Sequence, residues 1–279
     1  MTWINAIQTK QLESPPSIDE RVSIAKVLVN KATINPQNIS VVLSTGIDFF
    51  IQPSDSVAIA SGLAADHALC ATINNSCASM SAAIELAMYR ISGQLDNIAI
   101  VTSSSIFSDI YRTGKPVDCA NGVGAAIISN KKEGFKIEKI AHRKNASFFG
   151  LKTIIPIGES SSKLKFNENK EGRLWDSYRQ AAVDFPIEAM KETLCEHGWD
   201  ISEVDHWIFH RSELTKLWIS GLGLNIDQSH PNMGALTSLA QLDKLKNSGY
   251  LMPKDKVAVL ELALGMSVSI MLLESEEYA

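Results

Sequence analysis

One arrangement occurs twice in this chain, about half its length apart: a helix, a short polar break and a buried strand. In the first half, apolar residues recur at helical spacing (Val22, Ile24, Ala25, Leu28, Val29), and the Asn35-Pro36 step bars the helix from continuing. A β-branched run, Ile39 to Leu43, follows and ends at Thr45-Gly46. In the second half a helix from about Tyr178 to Glu196 breaks near Gly198. Ile201 to Val204 come next, then the strand-like Asp205 to Phe209. Ser17 and Glu20 have capping-box spacing at the start of the first helix. Between the two units lie a helical Cys77 to Ile91, a strand from Ile98 to Val101 opening into Thr102–Ser105, and a strand-like Phe135 to Ile140. Strands alternating with helices predict an α/β fold with mostly parallel strands. The irregular stretch Ile157 to Gly172 reads as the surface loop joining the halves.

With 279 residues, 45% of them hydrophobic, the chain can bury one large domain or two fused lobes. The expected division is 1–130 and 131–279. A net charge of -5 gives no basic stripe for nucleic acid. Cys70, Cys77, Cys119 and Cys195 show neither C-x-x-C pairing nor Cys/His metal spacing, so no metal site is expected and reduced thiols fit a cytoplasmic protein. Met1 to Lys10 lacks the pattern of a signal peptide, and no uncharged apolar run reaches the roughly 18 residues of a membrane span.

Four residues could carry chemistry. Cys77 stands where a strand ending at Ala71-Thr-Ile73 meets a helix. A thiol at a helix N-terminus feels the positive end of the macrodipole, which favours the thiolate, and the first-turn N–H groups can bind an oxyanion. An inert buried thiol is the competing reading, because free cysteines are among the most buried residues. His210 ends the strand-like His206–His210, where ligands of open α/β sheets collect; a solvated loop histidine is its bland counterpart. Asn232, in a turn before the helix Ala235 to Leu245, is by itself a turn former or N-cap. Gly265 follows the strand Val257 to Leu262 and either turns the chain or lets a backbone N–H approach a substrate.

Taken in order, Cys77-Ala-Ser, Asn121-Gly-Val-Gly-Ala-Ala126, Phe209-His210, Pro231-Asn-Met-Gly-Ala235 and Leu264-Gly265-Met resemble the ketoacyl-carrier-protein synthase III group of the thiolase superfamily. The resemblance implies a five-layer αβαβα sandwich of two similar lobes. It implies that Cys77 carries an acyl thioester, and that His210 and Asn232 polarise a malonyl-type thioester and stabilise the enolate left by decarboxylation. The N–H groups of Cys77 and Gly265 would bind the thioester oxyanion. No cofactor would be bound permanently; the substrates would be acyl and malonyl thioesters of a phosphopantetheine carrier protein or coenzyme A. Dimerisation through the strand and helix near the nucleophile is likewise expected by resemblance.

The chain also departs from that group. The region supplying a tryptophan and basic residues for the coenzyme A nucleotide is missing, which favours an acyl carrier protein as donor. Arg211-Ser-Glu213 replaces Gln-x-Asn after the histidine, making Glu213 a modulator of His210. The glycine cluster is reduced to Gly265, and the connection from His210 to Asn232 is short. These departures suggest specialised biosynthesis of polyketide or fatty-acid type. They also open two alternatives: transfer of the acyl group to an amine, alcohol or water, and an accessory role in a heterodimer with a related ketosynthase.

Overall fold

The computed structural model describes residues 1–45, 54–75, 77–92, 97–105, 120–145, 147, 172–210, 214–226, 233–263 and 266–276, with backbone alone over 172–179. The strands are β1 (Trp3–Leu12), β2 (Ile39–Thr45), β3 (Leu69–Ile73), β4 (Ile98–Ser105), β5 (Asn121–Ser129), β6 (Phe135–Lys144), β7 (His206–Phe209), β8 (Lys256–Ala263) and β9 (Ser267–Ser275). The helices are α1 (Ile18–Lys31), α2 (Asp55–Gly62), α3 (Ser79–Ile91), α4 (Gly172–His197), α5 (Thr215–Gly221) and α6 (Thr237–Lys246).

Helix α1 starts as its sequence predicts. Ser17 Oγ accepts the Glu20 N–H at 3.2 Å, and the Glu20 carboxylate accepts the Ser17 N–H at 2.7 Å. It ends at Lys31, and Asn35-Pro36 opens a separate 3-10 turn. The residues 157–171 of the expected joining loop lie outside the described residues, and Gly172 already belongs to α4.

The sheet order is β3-β2-β4-β5-β1-β6-β9-β8-β7. Its two parts repeat one plan, since β7-β8-β9-β6 follows the order of β2-β4-β5-β1. They meet where Trp3 and Ile4 of β1 pair with Lys136 and Phe135 of β6. The strands are not mostly parallel, as the alternation suggested. Only β2–β3, β2–β4 and β7–β8 pair in parallel, whereas β1–β5, β1–β6, β4–β5, β6–β9 and β8–β9 are antiparallel. Between β8 and β9 the chain has only residues 264–266, and a parallel crossover needs roughly a dozen residues.

Three apolar clusters stack the elements into five layers. α1 and α2 cover one face of the first half-sheet through Ile24, Leu28, Ile59, Val42 and Ile100. α4 and α5 cover the outer face of the second through Met190, Leu194, Trp218, Phe209 and Leu260. Between the half-sheets lie α3 and α6, with Met80, Ile84, Leu236 and Leu239 packed on Leu43, Val101, Val259 and Met271. Alternating residues along each strand therefore serve opposite layers, which explains the near-continuous apolar runs of β2, β4 and β8.

Two expectations shift at element ends. Thr102–Ser105 continue β4 as buried strand instead of opening from it. Thr102 Oγ1 donates to the Leu43 carbonyl at 3.2 Å and Ser105 Oγ to that of Ala120 at 2.8 Å, so these hydroxyls are tolerated inside. β6 runs to Lys144, well past Ile140, because β9 pairs with it along its whole length.

Candidate active site

Cys77 lies between β3 and α3, and its half-buried thiol is reduced. Ala78 is the N-cap residue and lends no side-chain cap. The Asn75 N–H donates instead to Ser79 Oγ at 2.6 Å, and Asn75 forms a backbone bridge with Cys77. The chain thus folds back on the first turn of α3 and leaves Cys77 at its mouth. The other described thiols suit this role less. Cys70 sits in β3, where burial pushes its thiol up and disfavours the thiolate, and Cys195 is exposed near the end of α4.

His210 directly follows β7. Its N–H donates to the Leu260 carbonyl at 2.9 Å, its carbonyl accepts Thr215 Oγ1 at 3.1 Å, and Gln241 Nε2 of α6 donates to the Phe209 carbonyl at 2.8 Å. Elements on both sides thus pin its backbone, and only 6% of the residue is exposed. By strand alternation His210 shares the face of Ile208, which belongs to the central core. α3 packs in this layer, so Cys77 at its mouth and His210 both stand on elements that border the middle of the sandwich.

Asn232, Gly265 and Glu213 lie outside the described residues. Their neighbours show how the segments are held. The Met233 N–H donates to Thr237 Oγ1 at 2.8 Å, repeating at the start of α6 the bond that Asn75 makes with Ser79 at the start of α3. The turn Gly234–Leu236 packs on β5 at the Gly-Val-Gly of the sequence motif. A Cβ at Gly122 would strike the Met233 side chain and lie 2.9 Å from the Lys10 carbonyl; one at Gly124 would strike Leu236 and lie 3.0 Å from Thr9 Cγ2. The two glycines let Met233 and the turn Gly234–Leu236 approach the first half-sheet.

One residue passed over in the sequence stands at the centre. Glu261 of β8 is wholly buried and neighbours His210 in the β7–β8 register. Ser81 of α3 directs its N–H at Glu261 Oε2 (3.4 Å), and the Ser238 hydroxyl of α6 reaches the same carboxyl. Burial pushes Glu261 up towards the neutral acid; the hydrogen bonds from Ser238 and Ser81 and the attraction of His210 oppose this to a lesser degree. Its signal in the sequence was a single charge inside the apolar run Val257 to Ala263. No group of three or more His, Cys, Asp or Glu residues fit to hold a metal occurs among the described residues. Nor is any described helix long and apolar enough to cross a membrane.

No protein-family model matches the sequence, and no curated protein matches it. Solved structures do. ChlB3, an acyltransferase, superposes with a TM-score of 0.80 at 17% identity, covering 100% of this chain and 98% of that one. The fold is thiolase-like. The priming β-ketosynthase of the R1128 polyketide pathway gives 0.79 at 16% identity, covering 100% and 97%. The 3-oxoacyl-(acyl carrier protein) synthase III of Xanthomonas oryzae gives 0.74 at 16%, covering 92% and 82%. The thiolase-like sandwich expected from the order of motifs is thus the fold of this chain.

Proposed function

We propose that this chain is an acyl-thioester condensing enzyme that loads an acyl group on Cys77 and extends it by decarboxylative Claisen condensation. The observation that supports this reading is that Cys77 stands at the mouth of α3, a helix of the central layer, and His210 at the pinned end of β7, on the strand face that this layer covers. Cys77 attacks the incoming thioester, and the acyl-enzyme keeps the group activated. His210 and Asn232 donate hydrogen bonds to the carbonyl of the malonyl-type thioester as carbon dioxide leaves and the enolate forms. The N–H groups of Cys77 and Gly265 hold the oxyanion of the acyl carbonyl. Glu213 tunes His210.

We divide the chain at 130/131 into a lobe supplying the nucleophile and a lobe supplying the histidine and asparagine. An acyl carrier protein delivers the thioesters, since the sequence lacks the coenzyme A nucleotide region. Dimerisation would use β3, an edge strand with Leu69 exposed, together with the exposed Leu86 and Tyr89 of α3.

The test is incubation with acyl and malonyl thioesters of a carrier protein, followed by intact mass and carbon dioxide release. Wild type is expected to gain one acyl group, lost in Cys77→Ala, and to release carbon dioxide. An unmodified Cys77 overturns the reading. One neighbour, ChlB3, is described as an acyltransferase, which favours a second reading in which the acyl group passes to an amine or alcohol. Product mass separates the two, because simple transfer adds no carbons to the acyl chain.

A further inference from the structure

The central face of the second half-sheet carries a polar row that acylation of Cys77 does not require. His210 adjoins Glu261, because Phe209 stands opposite Leu260 in the β7–β8 register. Glu261 stands opposite Ser269 of β9, and Ser269 opposite His142 of β6. The four side chains share the face of Ile208, Val259, Met271 and Ile140, under α3. That helix covers the row with Ser81 and Glu85, which lie one turn apart on one side. The Ser81 N–H points at Glu261 Oε2, while Glu85 Oε2 lies 3.0 Å from His142 Nε2. His142 Nδ1 lies 2.8 Å from Ser269 Oγ.

Exposure grades along the row. Glu261 and Ser269 are wholly buried, whereas the side chains of His142 and Glu85 are 24% and 31% exposed. The row starts beside the active-site histidine and ends at solvent. Glu261 Oε1 has no hydrogen-bond partner among the described residues, and the strand register sets Ser269 on one side of Glu261 and His210 on the other.

We propose that His142, Ser269 and Glu261 form a proton relay that delivers a proton from solvent to His210 and on to Cys77. The proposal rests on the condensing reading above and supplies what that chemistry consumes. As the new carbon–carbon bond forms, the carboxylate carbon leaves as carbon dioxide and the bond from the acyl carbon to the Cys77 sulfur breaks. The thiolate then needs one proton to regenerate the thiol. The neutral Glu261 carboxyl passes its proton to His210 as the His210 proton moves to the thiolate. The Ser269 hydroxyl refills Glu261, His142 Nδ1–H refills Ser269, and His142 recovers a proton from water beside Glu85. Acyl loading exchanges one thiol for another and draws no net proton, so it does not use the relay. Burial holds Glu261 towards the protonated form, as a donor in this position must be.

The experiment compares wild type, Ser269→Ala and His142→Ala in two assays: single-turnover acylation of Cys77 by intact mass, and steady-state condensation by carbon dioxide release in water and in deuterium oxide. Both variants are expected to acylate at the wild-type rate and to condense on the order of tenfold or more slowly, with an enlarged solvent isotope effect. Added imidazole should restore condensation in His142→Ala, where the missing ring is reachable from solvent, and not in Ser269→Ala. Equal slowing of both assays marks a packing role and overturns the relay, as does unimpaired condensation in Ser269→Ala. A wild-type protein that acylates but releases no carbon dioxide overturns the condensing reading and the relay together. A wild type that condenses, with variants that match it, overturns the relay alone.

Discussion

In the first half-sheet the positions matching His210, Glu261, Ser269 and His142 are Thr45, Ser103, Gly124 and Thr9, aligned across β2, β4, β5 and β1 by the same register. The helix above each row also matches. Glu85 lies six residues after Ser79 in α3 and meets His142; Asp243 lies six residues after Thr237 in α6 and accepts the Thr9 N–H and Oγ1 at 2.8 and 2.6 Å. One plan therefore serves both halves, with a helix carboxylate tying the helix to a strand. Only the second row has ionisable side chains. Thr45, Ser103 and Thr9 can hydrogen-bond but hold no exchangeable charge, and Gly124 exists to admit Leu236 and Leu239. The scaffold is duplicated and the acid–base chemistry is not.

Breaking that asymmetry should have its largest effect at its active end. His210→Ala is expected to slow condensation by about 10²- to 10⁴-fold, the range for a positioned proton-transfer or hydrogen-bonding side chain, while Thr45→Ala at the matching position stays close to wild type. Steady-state carbon dioxide release decides it, and comparable losses in the two variants would erase the distinction between rows.

The packing of the halves on each other comes next. Gly122→Ala should destabilise the protein by about 1–3 kcal/mol, because the new methyl group meets the Lys10 carbonyl and Met233 in a filled interior. Denaturant unfolding measures this, and an unchanged midpoint would show that the turn before α6 yields easily.

The two helix carboxylates sharpen the comparison further. Asp243, 7% exposed, makes two hydrogen bonds to Thr9, so Asp243→Ala should cost about 1.5–3 kcal/mol. Glu85 and His142 are partly solvated, so Glu85→Ala should cost no more than about 1 kcal/mol. The reverse order would mean that the second row bears more of the fold than its exposure suggests.

The smallest effect concerns pH. Burial raises Glu261 in the folded protein, so the folded state binds its proton more tightly than the unfolded chain does. The stability tied to that proton is fully present below the ordinary carboxylate range and is lost as pH rises through the folded value. Glu261→Gln, which cannot ionise, should therefore gain in thermal midpoint relative to wild type as pH rises from about 4. A difference that does not vary with pH would place the charge of Glu261 outside the folding equilibrium.

Local chemistry made much of this legible. Helical spacing and a capping box located α1, a β-branched run located β2, a strand-like run after the second helix located β7, and the order of motifs picked out Cys77 and His210 as candidates. Those signals act over a few residues, where periodicity, caps and turn formers dominate. What escaped them depends on partners far apart in sequence. Gly265 read as a turn after a strand, yet the antiparallel β9 beyond it, and with it the mixed sheet, needed the full strand order. Gly122 and Gly124 read as a motif, and only packing showed that Met233 and Leu236 demand them. Glu261, one charge in an apolar strand, was passed over until its partners Ser81, Ser238 and His210 were in place.

By itself the sequence placed several of the helices and strands and showed which thiol stands at a helix mouth and which histidine ends a strand, because each follows from neighbouring residues. Only the tertiary structure decided that β6, β7, β8 and β9 align His142, Ser269, Glu261 and His210 in one row beneath α3. Register between strands is set by which apolar faces must be buried together, and that choice belongs to the whole core.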